Sequence, residues 1–158
     1  MSEGDPTRAE REIEQLGQRA KAAARWLALA PSGQKDEALR AAAEALVRST
    51  DVVLEANAAD VTSARERSLR ESLIDRLALS PERIRAMAQA LVDITTLRDP
   101  VGVVRAGRRL PNGLDLQQVT VPIGVIGMIY ESRPNVTVDA IGLCLKSGNA
   151  VILRSGSD

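Results

Sequence analysis

The chain has 158 residues, with 21 basic and 21 acidic side chains, no histidine and one cysteine, and 44% of it is apolar. That length suits one domain, and a formal net charge of zero lacks the basic excess expected of a general nucleic-acid binder. Without histidine, Ser-His-Asp triads, Cys-His dyads and histidine-ligated zinc sites are excluded, so no metal site is expected. One cysteine cannot form an internal disulfide, the charged N-terminus lacks a signal-peptide core, and no apolar run reaches the roughly 18 residues of a membrane span. A cytoplasmic location, without membrane association, is the expectation.

Before Pro100 the sequence is rich in Ala, Leu, Arg and Glu at helical spacing. Asp5–Pro6 and the Thr7/Glu10 capping box compete to start a first helix, whose inward face is Ile13, Leu16, Ala20, Ala23 and Leu27, with Pro31 as its stop. Ser32 is the expected cap of a second helix carrying Leu39, Ala42, Leu46 and Val47. Thr50 or Asp51 is that of a third, running through Val53, Leu54 and Asn57 towards Val61. A short helical turn is expected near Leu73 to Leu77. Ser80–Pro81 then opens a helix with the stripe Ile84, Met87, Ala88, Leu91 and Ile94. Residues 5–96 are thus mainly helical.

After Pro100 valine, isoleucine and glycine take over. Val101 to Arg109 and Leu114 to Val121 flank Pro111-Asn112-Gly113, a β-hairpin pattern spanning 101–121, with Gln117 and Gln118 marking it as an exposed arm. Val125 to Tyr130 is a continuous apolar run, as expected of a parallel strand covered on both faces. A helix opening at Pro134-Asn135 follows, with Val136, Ala140, Leu143 and Cys144 inward and Gly148 as its left-handed cap. Ala150 to Leu153 supplies a second strand, so 122–158 reads as a βαβ unit and the fold class as α/β.

Ligands of open parallel sheets bind at the C-terminal ends of strands. Two such ends occur here. Glu131 to Asn135 offers a carboxylate, a hydroxyl, a guanidinium and an amide, or is an ordinary loop with Asn135 as N-cap. Arg154 to Asp158 sets a cation beside small residues, suited to phosphate or ribose or to a solvated turn. Gly124 and Gly127 do not reproduce the dinucleotide glycine fingerprint. Cys144, mid-helix among apolar neighbours, reads as a buried structural thiol, Lys146 as a surface residue matched to the helix dipole, and Asn57 and Asp60 as polar packing residues.

The stretch VPIGVIGMIYESRPNVTVDAIGLCLKSGNAVILRSGSD, Val121 to Asp158, resembles the N-terminal half of the γ-glutamyl phosphate reductases, also called glutamate-5-semialdehyde dehydrogenases, of the aldehyde dehydrogenase superfamily. ESRPNVTVDA followed by LCLKSGNAVILR is diagnostic of that family. RLPNGLDLQQVTVP and the ANAAD segment (Ala56 to Asp60) fit as well, so the likeness covers essentially the whole chain. It implies the first βαβ unit of a Rossmann-like cofactor domain, incomplete here, with 1–158 as the N-terminal part of the NADP-binding domain and the catalytic domain absent.

The activity implied is NADPH-dependent reduction of L-glutamate 5-phosphate to glutamate 5-semialdehyde and phosphate in proline biosynthesis. A cysteine thiolate displaces phosphate to form a thioester, which is then reduced. By the same resemblance Asn135 is the oxyanion donor, Arg154 and Ser157 bind the cofactor, and Arg133 meets the acyl phosphate of the small-molecule substrate. Homo-oligomerisation and partnership with glutamate 5-kinase are implied for the full-length family. Cys144 does not match the family's nucleophile, which lies beyond Asp158, and Ser155 stands where the family has glycine. The expectation is a truncated reductase, inactive alone and prone to associate through an unpaired strand edge. The alternatives are a stand-alone nucleotide-binding or interaction module derived from the reductase, and a helical interaction domain over 5–96.

Overall fold

The computed structural model describes residues 7–131 and 133–156. Five helices come first: α1 (Arg8–Leu27), α2 (Ser32–Arg48), α3 (Thr50–Glu66), α4 (Glu71–Leu77) and α5 (Pro81–Thr95). The hairpin β1 (Val104–Arg109) and β2 (Asp115–Val119) follows, then β3 (Val125–Tyr130), α6 (Pro134–Lys146) and β4 (Ala150–Ser155). The fold is α/β, as the sequence implies.

Helix starts show which local signals prevail. Thr7 and Glu10 close a reciprocal capping box at α1, Glu10 N–H donating to Thr7 Oγ1 at 3.3 Å and Thr7 N–H to Glu10 Oε2 at 2.5 Å. The competing Asp5–Pro6 start lies outside the described residues. Ser80 caps α5 through the Arg83 amide, with Pro81 in the first turn. Two expected caps are overturned. Ser32 is the first residue of α2 after Pro31, and Thr50 turns its hydroxyl back to the Val47 carbonyl at 2.7 Å. At α2 the extended N-cap position falls on Pro31, whose side chain has no acceptor, and at α3 the tight junction with α2 leaves Ser49 in a non-extended conformation without a side-chain cap.

The core is built where α2, α5 and α6 meet. Leu39, Ala43, Ala88, Leu91 and Ile94 form one buried cluster, with Val138 and Leu145 of α6 packed on it. All five residues of the expected α5 stripe are buried. In the α1 and α2 stripes Ala20, Leu27 and Leu39 are buried as expected, but Ala24 is buried in place of Ala23 and Ala43 in place of Ala42, and Ile13, Leu16 and Val47 are exposed. Helix α6 approaches closely because Gly142 has no side chain; a Cβ there would lie 2.7 Å from Ile94 Cδ1 and 2.9 Å from Leu91 Cδ2.

Strands β3 and β4 pair in parallel from Val125↔Ala150 to Tyr130↔Ser155, with α6 as the connection. Gly148 takes the left-handed conformation at φ 73°, and a Cβ there would stand 2.9 Å from Pro122 Cγ. Coverage of both strand faces is not found. Ala20, Ala24 and Leu27 of α1 pack on Ala150, Val125 and Ile152, but Ile129 further along the strand is 86% exposed, beyond the reach of α1. Leu143 is exposed as well. The β1–β2 hairpin is shorter than the sequence suggests and exposed at every position. Its turn is closed by Gly113 at φ 89°.

The polar interior is the largest departure from expectation. Lys146 is buried, its Nζ 2.5 Å from Asp36 Oδ1 and 3.2 Å from the Thr95 carbonyl. Lys35, with a side chain only 1% exposed, meets Asp99 Oδ2 at 2.6 Å. Burial pushes the Asp99 carboxyl up, but the hydrogen bond from Lys35, the Val101 amide and the lysine charge outweigh it, and the group lies below its ordinary value. Stability from a lowered carboxyl is present above its unfolded pKa and lost as pH falls through the native value. Resistance to urea should therefore weaken as the pH drops below about 4, more steeply than in Asp99→Asn. Lys35→Met should cost about 2–3 kcal/mol at neutral pH and Lys35→Met/Asp99→Leu much less, because only the single change leaves an unpaired carboxylate.

Candidate functional site at the strand ends

The C-terminal ends of β3 and β4 lie side by side, Tyr130 opposite Ser155. From Tyr130 the chain turns through Glu131 to Arg133, which occupies the N-cap position of α6 in an extended conformation. Pro134 takes the first helical position, where its missing N–H costs nothing. No side chain caps this helix, so Asn135 is not an N-cap; it stands exposed in the first turn. Tyr130 Oη and Thr137 Oγ1 share a hydrogen bond at 2.5 Å that ties the strand end to the helix. Arg133 pairs with Glu131 at 3.3 Å, and its buried Nε has no acceptor among the described residues.

Two clefts open on either side of Arg133 and Pro134. The first, about 360 Å³, runs between α3 and the strand ends and is lined by Asp60, Ser63, Arg67, Tyr130, Thr137 and Ser155. The second, about 490 Å³, runs between the α4–α5 connection and α6 and is lined by Arg76, Leu79, Arg83, Met87, Asn135 and Asp139 among others. Both depend on one buried amide. Asn57 of α3 donates to the Leu77 carbonyl at 2.9 Å and accepts from the Leu79 N–H at 2.7 Å, clamping the connection that walls both clefts. Here the polar packing role read for Asn57 is realised.

The four residues singled out from sequence are distributed unevenly. Arg133 and Asn135 come together at the second cleft. Arg154 is exposed near the end of β4, opposite Ile129, and lines neither cleft, since alternation along the strand turns Ser155 rather than Arg154 towards the first one. Ser157 lies outside the described residues. Cys144 is buried, and burial raises its thiol above the ordinary value, opposite to what a nucleophile needs. Sequence reasoning missed Asp139, although its place four residues after Asn135 sets it on the same helix face. It also missed the Tyr130–Thr137 bond, which no local pattern signals.

Known proteins match this arrangement over nearly the whole chain. A γ-glutamyl phosphate reductase from Thermobifida fusca is 55% identical over 151 residues, 96% of this chain and 36% of the relative. The crystal structure of the γ-glutamyl phosphate reductase from Thermotoga maritima superposes with a TM-score of 0.90 at 45% identity, covering 92% of this chain and 35% of that one. This chain resembles the γ-glutamyl phosphate reductases. The corresponding structure from Saccharomyces cerevisiae gives a TM-score of 0.87 at 34% identity, over 97% of this chain and 38% of that one. The chain spans about a third of the length of the curated γ-glutamyl phosphate reductases it matches. No family model matches it. Among the described residues no helix is long and apolar enough to cross a membrane.

The Asn57 clamp makes a direct prediction. Asn57→Ala should cost about 1–3 kcal/mol through the two stranded backbone groups. In hydrogen exchange it should selectively abolish protection of the Leu79 amide while that of Leu91 persists.

Proposed function

We propose that the β3–α6–β4 unit is one wall of a Rossmann-like NADPH cleft in an enzyme that reduces L-glutamate 5-phosphate to glutamate 5-semialdehyde and phosphate, a step of proline biosynthesis. The observation that carries this reading is the placement of Arg133 and Asn135 at the start of α6, beside the C-terminal end of β3, within a chain this similar to γ-glutamyl phosphate reductases. On this reading residues 1–158 are the N-terminal part of an NADP-binding domain: a helical portion over 5–96, a hairpin over 101–121 and the βαβ unit over 122–158. The cytoplasmic location, self-association of the full-length enzyme and supply of its acyl phosphate by a glutamate 5-kinase belong to the same reading.

Each residue has a role set by its chemistry. As the acyl carbon is attacked and then reduced, negative charge gathers on the carbonyl oxygen, and the exposed Asn135 amide is placed to donate to it. The Arg133 guanidinium complements the departing phosphate, exchanging its exposed pairing with Glu131 for a doubly charged partner. Arg154 has no side-chain partner among the described residues, which fits a 2′-phosphate or ribose. Ser157 would accompany it on the sequence argument alone. A nicotinamide cofactor supplies the hydride. The thiol that first displaces phosphate cannot be Cys144, mid-helix and buried, so it is supplied by polypeptide outside these 158 residues.

Calorimetry tests the assignment. The chain should bind NADPH more tightly than NADH, and Arg154→Ala should weaken NADPH by about tenfold, the loss of one charge-assisted contact, with NADH unchanged. It should release no phosphate from an acyl phosphate in the presence of NADPH. Equal losses for both cofactors, or robust phosphate release, would contradict the roles given to Arg154 and Cys144.

A further inference from the structure

We infer, on the reading of Arg133 and Asn135 given above, that the second cleft holds the α-amino-acid end of the substrate and that Asp139 receives its ammonium group. Asp139 lines this cleft from α6, is half-buried, and its carboxylate meets no donor or cation among the described residues. The neighbouring charges are mostly spoken for. The Arg83 guanidinium donates to the Asp75 and Ala78 carbonyls and to the Asp75 carboxylate, and Arg133 pairs with Glu131. A partly buried carboxylate that the protein leaves unpaired is costly unless a ligand completes it.

Spacing identifies the ligand class. Asn135 and Asp139 are four residues apart on α6, so about 6 Å separates them along the axis. In a γ-glutamyl group the reacting carbonyl carbon and the α-nitrogen are joined by four single bonds of about 1.5 Å, giving about 5 Å when extended. A carbonyl oxygen facing Asn135 therefore brings the ammonium to Asp139. Ala86, Met87 and Ala90 give the methylenes an apolar wall, and Arg76 across the cleft, with no ion-pair partner among the described residues, offers a cation to the α-carboxylate. Asp139 would thus select an α-amino acid over the corresponding simple diacid.

Amide NMR titrations of the whole chain with three probes test this. Acetyl phosphate reads the reacting end alone, L-glutamate carries the ammonium, and glutarate is the same skeleton without it. L-Glutamate should bind at least about tenfold more tightly than glutarate, the worth of one charge-assisted contact, shifting the amides of Asn135 and Asp139. In Asp139→Asn that preference should disappear, with the acetyl phosphate response at Arg133–Asn135 retained. A wild-type chain that binds the two diacids equally, or not at all, overturns the assignment of Asp139, as does an undiminished preference in Asp139→Asn. Loss of the acetyl phosphate response in the wild-type chain would instead strike the reading of Arg133 and Asn135.

Discussion

Adjacent residues near the start of α2, Lys35 and Asp36, carry opposite charges inward, and each meets a counter-ion from a different part of the chain. Lys35 holds Asp99, at the root of the hairpin, while Asp36 holds Lys146, at the end of α6. Because Lys146 also donates to the Thr95 carbonyl, the end of α5 is tied into the same junction. Buried charges of this kind add little net stability compared with apolar packing, but each tolerates only one placement of its partner. Together with the close approach at Gly142, the Asp36–Lys146 pair fixes where α6 lies, and the start of α6 presents Arg133 and Asn135.

That dependence explains why so much of the fold was legible in the sequence and why certain parts were not. The α5 stripe, the Ser80 cap, the β3 limits and the Gly148 turn follow from local spacing and backbone preference, which the tertiary structure leaves undisturbed. Ala24 rather than Ala23 and Ala43 rather than Ala42 face inward because a helical period tolerates either, and only the neighbour decides it. Ile129 is exposed although its run reads as fully covered: hydrophobicity along a strand records what it is built to meet, whereas α1 covers only the first part of this face. Lys146 was misplaced for a related reason. A lysine in the last turn of a helix suits the helix dipole at the surface, and nothing near it in sequence announces Asp36, 110 residues away.

The candidate site divides in the same way. Arg133 and Asn135 were legible because a strand end running into a Pro-started helix is a recognisable junction, and the family likeness points to the same residues. Asp139 and Asn57 were not assigned there, since their importance comes from what α3 and the α4–α5 connection bring opposite them. Asn57 holds that connection in place, and the connection gives Asp139 a cleft to face. One helix thus carries the Asn135 amide in its first turn and the Asp139 carboxylate in the next, on a backbone anchored at its far end by a buried ion pair.

The central claim is that the ends of β3 and β4 form one wall of a pyridine-nucleotide cleft. Phosphorus NMR of NADPH titrated with the chain tests it most directly. The account predicts a selective shift and broadening of the 2′-phosphate resonance that Arg154→Ala removes. A 2′-phosphate resonance unchanged at saturating protein would contradict it.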